Sequence, residues 1–265
     1  MDDVKIAEEC AVRALDELPK TKAVRIKLAE KKTDIFSSKF GGTPYIPHDS
    51  APPETSCGQL RMLAQIDLSE VEHPAVPDSG LLQFWISADD CWGMPDDFKV
   101  VYYEDIDRTV TEEEVKAKIS PMADYETEFF PVHGEFAVDF EAVDETCPTD
   151  SREFKQLFLK YYNEATGENW EETWNMPFNI RHGVLDRYNS IFGHKTGGSS
   201  DFCQGDPRYP NGYNYNFQLL QMSSDFDRDC ERIMWGDAGI GHFFIDENKL
   251  RNKDFSDIMY YADCC

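Results

Sequence analysis

Between residues 5 and 18, Ile6, Cys10, Val12, Leu15 and Leu18 follow one helical stripe, and Pro19 stops it, predicting an amphipathic helix. The period then drops to two. Ala23 to Ala29 alternates apolar and charged positions and reads as a half-buried strand. Leu60 to Leu68, Leu81 to Ile86 and Lys99 to Tyr103 are apolar enough for further strands, the second of them started by an Asp78-Ser79-Gly80 turn. Thr111 and Glu114 carry a capping-box signature for a short helix. Phe129 to Val143, rich in Phe and Val, reads as strand. Asp150 or Ser151 caps a helix to Tyr162, with Phe154, Leu157, Phe158 and Tyr161 at helical spacing and Gly167 as its stop. Residues 184 to 192 read as a last helix before Gly193. Phe217 to Met222 and Gly239 to Ile245 read as strands, and Asp246 to Lys249 as a turn. Strands and helices mix without a regular βαβ rhythm, which predicts an α+β fold with mostly antiparallel sheets and flanking helices.

Three landmarks occur twice in one order. Gly41-Gly42 stands in SKFGGTPYIP and Gly197-Gly198 in HKTGGSSDFC. Gln65 lies 23 residues after Gly42, and Gln221 lies 23 residues after Gly198. Asp78-Ser79-Gly80 with Leu81 to Ile86 then matches Asp237-Ala238-Gly239 with Ile240 to Ile245. The expectation is one internally duplicated domain over 1–265, its two units in a pseudo-twofold arrangement. Repeat one would span about 23–103, an acidic insertion about 104–180 and repeat two about 184–258.

The same landmarks carry a family resemblance. FGGTPYIP, LAQIDLSE and PDSGLLQFWI, followed by GGSSDFCQGDPR, LLQMSSDFD, IMWGDAGIGHFFIDENKL and DFSDI, resemble the YwqG-like family, a domain of unknown function. The resemblance runs from about Phe36 to Ile258 and departs at Ser199-Ser200. It implies a duplicated α+β fold and no established enzymatic activity, so it transfers no catalytic residues.

Charge narrows the partners. The net charge is −25, and 20 acidic against 6 basic residues lie between Glu104 and Glu172. A surface of this sign repels phosphate backbones and anionic lipid, which argues against nucleic-acid or membrane partners and for a basic protein. No apolar run reaches the ~18 residues of a membrane span. The acidic, amphipathic N-terminus is unlike a signal peptide. Eight scattered cysteines without Cys-x-x-Cys spacing fit a cytoplasmic protein with reduced thiols. Cys264-Cys265 follows Ile258 to Tyr261 with no flexible or basic linker, which disfavours lipidation.

Candidate chemistry is sparse. Asp237 could orient His242 as a general base, and these are the catalytic candidates. Gln65, Gln221, Trp235 and Arg208 are ligand-binding candidates, although a buried amide also suits an architectural role, and Arg208 can pair with Asp206. His182, His194, Cys203 and His242 lack zinc-site spacing, so no metal or other cofactor is expected. The favoured function is a non-enzymatic acidic interaction module, of immunity or inhibitor type. The alternative is an enzyme or small-ligand binder with a cleft at the repeat junction.

Overall fold

A computed structural model describes residues 3–188, 191–209, 212, 214–226, 228 and 230–264. The chain divides into two compact units, one formed by Met1–Ala23 with Val143–Phe192, the other by Val24–Ala142 with Gly193–Cys265.

The first unit is helical. Helix α1 (Asp3–Glu17) buries Ala7, Cys10, Ala11, Ala14 and Leu15. The alanines set this face, so Val12 of the expected stripe is 42 % exposed. Four further helices can be named at once: α2 (Glu112–Lys118) and α3 (Asp124–Phe129) belong to the other unit, whereas α4 (Arg152–Thr166) and the single turn α5 (Phe178–Ile180) belong to this one. Ser151 caps α4 by accepting from the Phe154 N–H, and Gly167 ends it in the left-handed conformation at φ 76°. Phe154, Phe158 and Tyr162 stack in succession along α4 within the cluster that includes α1. The segment expected as a helix over 184–192 is a short run of π- and 3-10 turns over Arg181–Tyr188, and Asn189 and Ser190 lie outside the described residues.

The strands are β1 (Thr21–Ala29), β2 (Lys39–Gly41), β3 (Glu54–Thr55), β4 (Gly58–Gln59), β5 (Arg61–Asp67), β6 (Leu81–Ile86), β7 (Phe98–Tyr103), β8 (Glu135–Glu145), β9 (His194–Gly197), β10 (Phe217–Ser223), β11 (Asp225–Phe226), β12 (Glu231–Ile233), β13 (Ile240–Ile245) and β14 (Met259–Asp263). Ten of them form one sheet in the order β14-β13-β10-β9-β1-β8-β2-β5-β6-β7. Its registered pairs are antiparallel. The result is a mixed α and β fold built on a large, mostly antiparallel sheet.

The sheet curls until it is nearly closed. Phe84 on β6 lies 4.9 Å from Phe243 on β13, and Phe98 on β7 lies 5.2 Å from Tyr260 on β14, ring centre to ring centre. These rings, with Val24, Phe40, Leu63, Leu220 and Trp235, belong to one apolar core. The opposite face of β5 and β6 carries a second cluster of Tyr45, Ile46, Leu60, Met62 and Trp85, roofed by Val110 and Val115.

Two details recur along the sheet. Lys39 pairs in register with Gln65, and Lys195 with Gln221. A bulge interrupts β5 against β6 between Met62 and Ala64, and β10 against β13 between Gln218 and Leu220.

Two expectations are corrected. Phe129 to Val143 is not one strand: α3 ends at Phe129 and β8 begins at Glu135, because Gly134, at φ 149°, breaks the extended run. Asp246 to Lys249 is not a turn but the start of helix α6 (Glu247–Arg251), whose Asn248 and Lys249 N–H groups donate to the Asp246 carboxylate.

Candidate functional site

The segment after β2 opens a cleft. Gly41 and Gly42 both take left-handed φ values, 65° and 75°, which only glycine adopts freely. A Cβ on Gly41 would lie 2.2 Å from the Gly134 carbonyl oxygen, so the chain must pass β8 at backbone contact. The glycine pair is a structural turn. Gly197 and Gly198 repeat its angles at 71° and 70° despite the Ser199-Ser200 departure.

Beside that turn lies a cleft of about 830 Å³. Its apolar wall comes from Leu60, Met62 and Trp85 on the sheet side, Ile119 and Met122 around the two short helices, and Phe130 before β8. All its lining falls within residues 42–134, so it draws nothing from 184–258 and does not sit at the expected repeat junction.

The charged groups of the wall are committed to structure. Arg61, only 7 % exposed, donates from Nε and Nη2 to the Glu126 carboxylate at 2.8–3.0 Å. It also donates to the carbonyls of Ser120 (2.6 Å) and Pro121 (3.3 Å). Burial alone would raise the Glu126 carboxyl, but Arg61 and the Ala123 N–H hold it below the usual range. His133 Nδ1 contacts the Glu231 carbonyl, and Lys116 pairs with Glu112 at 2.6 Å. Trp85 Nε1 donates to Gln83 Oε1 at 3.0 Å. The cleft therefore offers apolar surface and shape, with its charges already paired.

The candidate glutamines are architectural in geometry. Gln65 has no exposed surface. Its Oε1 accepts from the Tyr45 N–H and from Gln83 Nε2, both at 2.8 Å. Its Nε2 donates to the carbonyls of Ile35 (3.0 Å) and Ser37 (2.9 Å). Gln221 accepts from the Asp201 N–H and donates to the Gly193 carbonyl, each at 2.9 Å. Each amide thus staples the loop that precedes its own strand to the sheet.

The other candidates gather around β13, away from the cleft lining. His242 faces Gln221 across the strand pair and has no exposed surface. Its Nδ1 stands 3.4 Å from Gln218 Oε1, Nε2 has no partner, and the ring stacks parallel to Phe244. Burial, helped by the nearby Arg208 and Lys195 charges, pushes this imidazole down to about 3, so it is neutral at physiological pH. The carboxylate that bears on it is Asp206, whereas Asp237 stays exposed on the preceding turn. Arg208 forks onto Asp206 at 2.7 and 2.8 Å and lies 4.4 Å over the Phe244 ring, the internal ion pair the sequence allowed. Trp235 is fully buried, edge-on to Trp92 at 6.0 Å, and its indole Nε1 has no partner. The structure brings Gln221, His242 and Arg208 together, but not Gln65.

Sequence reasoning missed the cleft. Its parts are short and separated in the chain: Gly42, Leu60, Trp85 and Phe130 each fell in a segment the sequence marked, but nothing in the sequence joined them into one wall. Among the described residues, no group of three or more His, Cys, Asp or Glu side chains could hold a metal ion. No helix there is long and apolar enough to cross a membrane.

Residues 38–264 match the family described as Domain of unknown function (DUF1963), and the chain belongs to that family. A search of curated proteins finds no match to the chain.

Proposed function

We propose that this protein is a non-catalytic binding module whose cleft takes the apolar part of a ligand. The observation that carries this reading is an apolar cleft of about 830 Å³ whose charged wall residues are already spent, Arg61 on Glu126 and two carbonyls and Lys116 on Glu112. That volume lies within the ~300–1,000 Å³ of ligand pockets. Catalysis at Asp237 and His242 draws less support, because the imidazole is sealed from solvent. The test is titration with the neutral fluorophore N-phenylnaphthylamine. Saturable uptake, weakened by Met122→Asp at a position 37 % exposed, is expected. Absence of saturable uptake by the folded protein removes the reading.

The interaction-module reading rests on the net charge of −25. Part of the acid-rich stretch is neutralised internally. Lys27 pairs with Glu141, Lys31 with Asp139, and Lys39 with Glu135. What remains for a partner is the carboxylates left exposed. Retention of a basic partner at low salt and its release at high salt would favour this reading. The free thiols of Cys10, Cys57, Cys91, Cys147 and Cys264 accord with the cytoplasmic location proposed alongside it.

We also infer that the sheet arose from two copies of one unit, related by a pseudo-twofold. Support comes from matched detail. Gln65 and Gln221 each bond a carbonyl 28 residues upstream and an N–H 20 residues upstream. Each pairs in register with a fully buried lysine, and each follows a strand bulge. The sheet order also reads alike outward from its centre, β2-β5-β6-β7 one way and β9-β10-β13-β14 the other.

A further inference from the structure

The cleft's surroundings constrain what fills it. Helices α2 and α3 supply its outer wall through Lys116 and Thr127, with Ile119 and Met122 between them. The same two helices carry six carboxylates: Glu112, Glu113, Glu114, Asp124, Glu126 and Glu128. Three of these are tied to the protein's own cations, Glu112 to Lys116, Glu114 to Lys118 and Glu126 to Arg61. Glu113, Asp124 and Glu128 are exposed and make none of the ion pairs found among the described residues. An apolar cleft bordered by surplus negative charge, on a chain at −25, repels anionic ligands and attracts cationic ones. Its apolar wall includes two methionines, Met62 and Met122, whose unbranched thioethers adapt to different apolar shapes. The volume is ample for one or two large apolar side chains.

We propose that the cleft docks a basic amphipathic segment of a partner protein, which seats apolar side chains against Met62, Met122 and Phe130 and sets its Lys and Arg residues against Glu113, Asp124 and Glu128. The inference rests on the apolar-cleft reading and supplies its partner chemistry. Apolar anchors give the complex its lifetime, while the carboxylates steer the approach and make the association salt-sensitive.

The test uses the full chain and labelled model peptides of roughly four helical turns. One carries Leu and Lys at amphipathic spacing, a second has Glu for Lys, and a third has Ser for Leu. Fluorescence anisotropy should show saturable binding of the Leu/Lys peptide alone, weakened by roughly tenfold or more at high salt. The triple variant Glu113→Lys, Asp124→Lys, Glu128→Lys should lose about tenfold or more in peptide affinity. Its circular dichroism and its uptake of N-phenylnaphthylamine should match wild type, because the exchanged side chains are exposed. Equal binding of the Ser/Lys peptide, or equal binding by the triple variant, overturns the proposal by showing attraction to charge elsewhere. Uptake of the neutral fluorophore without peptide binding overturns the partner chemistry and leaves the cleft reading standing. Failure of both probes removes both.

Discussion

Gln65 Oε1 receives the Gln83 side-chain amide at 2.8 Å while also accepting the Tyr45 N–H, so one oxygen joins strands β5 and β6 to the loop over them. Every polar atom of Gln65 is used, and none is exposed. Gln65→Leu keeps the volume but orphans the Tyr45 N–H and the carbonyls of Ile35 and Ser37. Each buried orphan costs about 1–3 kcal/mol, so the variant should lose at least about 3 kcal/mol in urea unfolding. A loss under about 1 kcal/mol would mean that water replaces the amide and that the staple is dispensable.

The glycines separate two sources of strain. Gly41 and Gly167 both hold left-handed angles, 65° and 76°. A Cβ on Gly167 meets nothing within 4 Å, whereas one on Gly41 meets a backbone oxygen at 2.2 Å. Gly167→Ala should therefore cost only the conformational term, about 1–2 kcal/mol. Gly41→Ala must also push two backbones apart and should cost on the order of 3 kcal/mol or more. Thermal unfolding of the pair checks the ranking, and equal costs would contradict the close approach at Gly134.

Much of this architecture was legible because it is written locally. Positive-φ glycines, period-two strands and the Ser151 and Gly167 caps each act within a few residues. Alternation found β1, and apolar runs found β5, β6, β7, β10 and β13. It could not find β2 or β9, which have three and four residues and owe their pairing to neighbours. Helix α6 has only five residues, Glu247–Arg251, too few for a helical period to separate it from the turn read over Asp246 to Lys249. The cleft was least legible, since Leu60, Trp85, Met122 and Phe130 come together only after β5, β6 and the two short helices are in place.

His242 has no counterpart imidazole: at the matching register, opposite Gln65, stands Gln83. Its pKa falls from 6.5 to about 3 through burial and the Arg208 and Lys195 charges, with Asp206 opposing. A depressed folded-state pKa means that the unfolded chain binds the proton first. The neutral ring's contribution to stability is thus complete above pH 6.5 and is lost as pH falls toward 3. The loss runs at about 1.4 kcal/mol per pH unit, or roughly 2 kcal/mol between pH 6.5 and 5. His242→Gln should flatten that slope, as read from urea midpoints at the two pH values. An unchanged slope would assign the acid sensitivity to other groups.

Arg61 and Glu126 form an ion pair with 8 % and 14 % of their side chains exposed. Removing one partner strands a charge beside the apolar wall, whereas removing both strands none. Glu126→Leu alone leaves the Arg61 guanidinium with only its Ser120 and Pro121 carbonyl contacts and the Gln59 side chain at 3.5 Å. It should cost about 3 kcal/mol, the lower end for a broken buried pair. Combining it with Arg61→Met should restore much of that stability, because two apolar side chains of comparable length extend the wall that Met62 and Ile119 already form. The double variant should also take up N-phenylnaphthylamine more tightly than wild type, since the cleft gains apolar surface. A double variant no more stable than the single one would show that the carbonyls of Ser120 and Pro121 depend on the guanidinium, and that Arg61 holds the loop between α2 and α3 in place.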